Sequence, residues 1–139
     1  MHADTIALIR SSYDRFSAHP AEAARAFYRE LFILDPRLRT LFVGDLERQG
    51  DKLMHMLSAA VRLLDRPERL LPVLEELGRR HRGYGVVDSD YDTVGYALIR
   101  ALETRLGSAF DQDTRYAWVD LYKLVASTMR KAAATPLAA

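Results

Sequence analysis

The chain has 139 residues, 49% hydrophobic and 28% charged, with a formal net charge of +1 and no cysteine. That is the balance of one soluble domain with a real core, spanning residues 1–139 with a loose tail over about 134–139. The missing cysteines exclude disulfides, thiol catalysis, iron–sulfur clusters and zinc-thiolate sites. The near-neutral charge supplies no field for nucleic acid or an anionic membrane. The N-terminus, MHADTIALIR, has no signal-peptide pattern, and no stretch approaches the roughly 20 apolar residues of a membrane span, so a cytoplasmic protein is expected.

In chain order, apolar residues recur at helical spacing throughout. The first helix is expected from about Asp4 to Ser17, with Ile6, Ile9, Tyr13 and Phe16 on one side. His19-Pro20 starts a second, to about Leu34, with Ala24, Phe27, Tyr28 and Leu31 inward. Asp35-Pro36 starts a short turn through Leu41, and Phe42–Asp45 forms a corner. The next helix spans about Leu46 to Leu64. Gln49, Leu53, Met56, Leu57 and Ala60 share one face, and His55 lies with Asp51, Ser58 and Arg62 on a solvated one. Asp65 and Glu68 have capping-box spacing ahead of a helix with Pro67 in its first turn. Asp88 or Ser89 caps a further helix carrying Tyr91, Val94, Gly95, Leu98 and Leu102 inward and ending near Gly107. Mid-helix Gly95 implies close approach by a neighbour. The last helix runs from about Gln112 to Ala133, with Trp118, Leu121, Tyr122, Val125 and Met129 inward. No strand pattern is sustained. The class is all-α, about seven helices of unequal length.

The most informative stretch is Leu77–Tyr91, LGRRHRGYGVVDSDY. Leu70, Leu74, Leu77 and His81 fall on one helical face, while Arg79, Arg80 and Arg82 point elsewhere. His81 therefore ends an apolar stripe, just before Gly83 and Gly85 break the helix. An unpaired buried imidazole costs roughly 1–3 kcal/mol, so it needs a partner. Spacing alone leaves two: a carbonyl or water, or a metal such as a haem iron held by one histidine.

Three segments, in this order, give the chain a family resemblance: FYRELFILDPRLRTLF (Phe27–Phe42), LGRRHRGYGVVDSDYDTVGYAL (Leu77–Leu98) and AWVDLYKLVASTM (Ala117–Met129). Together they resemble a globin over about residues 4–133, with likeness to neuroglobins and to bacterial single-domain haemoglobins with a flavohaemoglobin-type distal pocket. The resemblance implies a globin fold around a haem pocket. With no C-x-x-C-H motif, the haem is haem b, held by ligation and packing.

By the same resemblance, His81 matches the proximal iron ligand and Phe42 the phenylalanine on the haem face. Tyr28 and Gln49 match the distal, catalytic pair. Leu53 matches the apolar residue over the iron, and Lys52 a residue that pairs with a propionate. Val86, Tyr91, Val94 and Leu98 match the proximal wall. Each has a plainer alternative: Tyr28 and Tyr91 as core aromatics, Gln49 and Lys52 as surface residues, and Phe42 as core in any helical fold. Glutamine at the distal position departs from the histidine of vertebrate globins and argues against a bis-histidine iron. The flavohaemoglobin proximal glutamate falls within Lys131–Ala133, which holds no carboxylate. The proximal N–H is then expected on a carbonyl such as that of Leu77, and peroxidase-like chemistry is disfavoured.

The implied function is reversible binding of O₂, NO and CO, for oxygen transport or storage. NO dioxygenase activity, a form of nitric oxide detoxification, is a further expectation, with electrons from a separate reductase. A haem-based gas sensor acting through a separate partner is the alternative. A cofactor-free binding module is a third reading, which the retention of His81 disfavours.

Overall fold

The computed structural model describes residues 1–42 and 44–134. Val43, in the expected Phe42–Asp45 corner, and nearly all of the expected loose tail lie outside the described residues. Six α-helices form among the described residues: α1 (Ala3–Phe16), α2 (Pro20–Leu34), α3 (Leu46–Arg62), α4 (Pro67–Gly83), α5 (Asp88–Leu106) and α6 (Gln112–Ala134). A six-residue 3-10 segment, Pro36–Leu41, follows α2, and a single 3-10 turn, Gly107–Ala109, precedes α6. The described residues contain no strand.

The helix boundaries follow the punctuation of the sequence. Pro20 and Pro67 sit in first turns, where a missing N–H costs nothing. The Asp35, Asp45 and Asp111 carboxylates accept from Arg37 N at 3.1 Å, Glu47 N at 3.0 Å and Thr114 N at 2.8 Å, satisfying otherwise orphaned donors. Two expected caps differ. The N-cap of α4 is Arg66, and the Asp65 carboxylate turns away to Arg10 at 3.0 Å, so no capping box forms. At α5 neither Asp88 nor Ser89 caps. Asp90 reaches back and accepts from Val87 N at 3.0 Å.

Packing pairs α4 with α6 and α2 with α5, while α1 lies against α6 and α5. The interior is anchored by Trp118, Phe16, Ile9, Leu31, Leu70 and Leu102, all essentially sealed from solvent. Two polar pairs tie α1 to its neighbours. Trp118 Nε1 donates to Ser12 Oγ at 2.8 Å, and the Tyr13 hydroxyl meets Ser58 Oγ at 2.7 Å. Ser58 therefore faces α1 rather than lying on a solvated face with His55, which is exposed as expected.

Although consecutive, α3 and α4 do not form a packed pair: α3 lies on α2 and α1, and α4 on α6. A cleft of about 330 Å³ runs between them, lined by Met56 of α3 and by Pro72, Val73, Glu76, Leu77 and Arg80 of α4.

Candidate functional site

Two kinds of apolar face occur on α3. Gly50, Met54 and Val61 are buried. Gln49, Leu53, Met56, Leu57 and Ala60, the face expected to point inward, are each only partly covered. Leu77, Val86 and Val94 are likewise apolar and half-buried, as are Phe32 and Phe42. Partly covered apolar side chains of this kind are the residue types that line sites for apolar ligands.

On the α4 side, His81 Nδ1 lies 2.8 Å from the Leu77 carbonyl. A carbonyl only accepts, so Nδ1 carries the proton. Nε2 makes no hydrogen bond among the described residues and is not sealed, since the one wholly buried, unpartnered side-chain atom among them is Arg130 Nε. Burial pushes the His81 pKa below its ordinary value, with the Leu77 bond opposing in part. The ring is therefore a neutral donor with its Nε2 lone pair free. The turn after it is fixed: Val86 N donates to the His81 carbonyl at 3.2 Å, and Gly85, at φ 87°, comes against Leu41 of the 3-10 segment. Among the described residues no three His, Cys, Asp or Glu side chains gather into a group that could hold a metal ion.

On the other side, Tyr28 is 5% exposed and sits in an aromatic cage. Its ring stacks on Phe32 at 5.9 Å and meets Phe42 edge-on at 5.2 Å. Its hydroxyl has no hydrogen-bond partner among the described residues, yet it keeps accessible surface. The ring packs in the core, as the plainer alternative has it, but the hydroxyl meets no backbone carbonyl among the described residues. Burial raises its pKa to about 12, so it stays a protonated donor at neutral pH. Gly50 makes a tight crossing of α3 on α2: a Cβ built there would lie 3.0 Å from Ala24 Cβ and 3.7 Å from the Tyr28 ring. Gln49, its neighbour in the chain, is half-buried. Lys52 is exposed on α3.

Tyr91, Val94 and Leu98 share the inward side of α5, with Tyr91 and Leu98 buried. The Tyr122 hydroxyl donates to the Tyr91 carbonyl, and the Tyr122 ring fills the space over Gly95, which explains that mid-helix glycine. Three contributors escaped the sequence reading. Gly50 and Gly78 set helix crossings and were signalled only as further mid-helix glycines. Arg130 stacks 5.2 Å over the Tyr91 ring and donates to the Asp88 carbonyl at 2.8 Å and the Asp92 carboxylate at 3.2 Å. No sequence spacing links α6 to α5 in that register.

Comparison with known proteins agrees with this architecture. A family model described as Globin matches residues 25–129. Neuroglobin of Danio rerio is 32% identical over 138 residues, covering 89% of this chain and 87% of that protein. Neuroglobin of Dissostichus mawsoni is 32% identical over 136 residues. A flavohemoprotein of Halalkalibacterium halodurans is 27% identical over 126 residues, covering 88% of this chain but only 31% of that protein. The crystal structure of a hexacoordinated heme protein from an anhydrobiotic tardigrade shares the fold, with a TM-score of 0.87 at 20% identity over 97% of this chain and 96% of that one.

Proposed function

Since this chain belongs to the globin family, we propose that it binds haem b non-covalently through His81 and reversibly binds O₂ and other diatomic ligands. The observation that carries this reading is the half-buried imidazole tied by Nδ1 to the Leu77 carbonyl, which leaves Nε2 with no hydrogen-bond partner among the described residues. The residues fit such a group: a neutral histidine as axial donor, and leucine, valine and phenylalanine side chains whose burial is incomplete without it.

Haem held there would supply an iron able to bind O₂, NO or CO. The residues do the rest. His81 orients the ring plane through its bond to Leu77. Phe42 and Val86 would pack against the haem, with Tyr91, Val94 and Leu98 as its proximal wall, and Leu53 and Leu57 would keep water from the bound ligand. Tyr28 offers a phenol O–H and Gln49 an amide N–H towards a ligand that gains negative charge on binding. Lys52, exposed on α3, would pair with a propionate.

The same donors support NO dioxygenase chemistry, in which one O₂, one NO and one electron give one nitrate. The electron comes from a separate reductase. Reduced, haem-loaded protein is mixed with O₂ and then with NO, and nitrate is counted. One nitrate per haem in a single turnover supports the activity. Absence of nitrate leaves oxygen storage or transport.

A further inference from the structure

Residues 82–85, at the end of α4, are all exposed, and Tyr84 stands there 63% exposed with its ring 5.9 Å from that of His81. Tyr84 is held rather than loose, because its N–H donates to the Arg80 and His81 carbonyls. A large aromatic displayed beside the candidate iron ligand contributes little to the core. Tyrosine so placed suits an interface, with an apolar ring and a polar tip.

The charges around this tip are unbalanced. Arg79 and Arg80 share one carboxylate, Glu76, at 3.4 Å each. Arg82 donates to the neutral Ala133 carbonyl at 2.9 Å. Three guanidinium groups thus ring the end of α4 with a single acid among them. The acids that open α5 are engaged elsewhere: Asp88 and Asp92 with Arg130, and Asp90 with Val87 N.

We infer that the exposed end of α4 is the docking site of an acidic one-electron carrier, a flavin or iron–sulfur protein, whose electron enters through the Tyr84–His81 contact. This rests on the haem-binding reading above. Each transfer oxidises the carrier by one electron and takes the iron from ferric to ferrous. No bond forms or breaks. The arginines supply steering and orientation, which act mainly on association and fade with salt.

The probe is a plant-type [2Fe–2S] ferredoxin, with basic cytochrome c as the opposite-charge control. Binding to the full chain is measured by calorimetry at low and high salt, with and without haem. Ferredoxin should bind at low salt and cytochrome c should not. The Arg80→Glu/Arg82→Glu variant should weaken ferredoxin at least about tenfold, while Arg15→Glu/Arg69→Glu, away from the tip, should not. Tyr84→Ala should slow reduction of the ferric protein by reduced ferredoxin about tenfold without changing its spectrum or its reduction by dithionite, and Tyr84→Phe should restore the rate. Equal binding by tip and control variants, or binding of cytochrome c in place of ferredoxin, overturns the inference. If ferredoxin binds at the tip but the protein takes up no haem, it is the haem reading that fails, and the electron route falls with it.

Discussion

The Nδ1 of His81 lies 2.8 Å from the carbonyl oxygen of Leu77, one turn back on the same helix. This bond sets the tautomer and leaves Nε2 as the donor atom. It also sets a pH dependence. Burial lowers the His81 pKa in the folded state, so the unfolded chain, with a histidine pKa near 6.5, binds the proton first. Stability contributed at this site is complete above about pH 6.5 and is lost as pH falls towards the lower folded value. Urea midpoints measured between pH 7.5 and 5 should fall more steeply for wild type than for His81→Leu. Haem should also leave the wild type on acidification, because the proton and the metal compete for Nε2.

Gly78, one turn before His81, allows α4 to touch α6. A Cβ there would lie 2.7 Å from Met129 Cα and 2.9 Å from its carbonyl carbon. Those are backbone atoms and cannot step aside. Gly78→Ala should destabilise the fold by about 1–3 kcal/mol and weaken haem binding together. Gly83→Ala, with nothing within 4 Å of the added methyl, should do neither. Urea unfolding and haem titration of the pair separate the cases.

The Tyr28 hydroxyl has no hydrogen-bond partner among the described residues, and its ring lies against Phe32 and Phe42. A charge-assisted bond from it to bound O₂ is worth about 1.5–3 kcal/mol, and 1.4 kcal/mol is tenfold. Tyr28→Phe should therefore speed O₂ release by roughly one to two orders of magnitude. Stopped-flow off-rates for Tyr28→Phe, Gln49→Leu and the double variant measure both donors and their coupling. Off-rates equal to wild type would remove both residues from the distal role.

The tardigrade protein that shares this fold is described as hexacoordinated, whereas His55, the one histidine of α3, is exposed here. The ferrous protein without added ligand should be mainly five-coordinate at neutral pH. Its visible spectrum should lack the sharp low-spin pair of bands.

Much of this was legible in the residues. Proline marks the starts of α2, the 3-10 segment and α4, and aspartate caps the 3-10 segment, because their backbone chemistry acts locally. The stripe from Leu70 to His81 has the period of the helix it forms. What stayed hidden depends on elements remote in sequence. On α3, periodicity picked out Leu53, Leu57 and Ala60 as apolar, but not that Gly50, Met54 and Val61 would take the packed side while the first set stayed half-covered. Asp65 has the spacing of a cap, yet a guanidinium arriving from α1 outcompetes the helix N-terminus. Arg130 reaches Tyr91 only because α5 and α6 cross where they do.

The most direct test is a haem titration of the purified protein and of His81→Ala, followed through the intense blue–violet absorption band. The account predicts one haem per wild-type chain. It also predicts loss of most haem uptake in the variant, because His2, His19 and His55 are all exposed. A His81→Ala protein with wild-type haem content and an unchanged spectrum would contradict it.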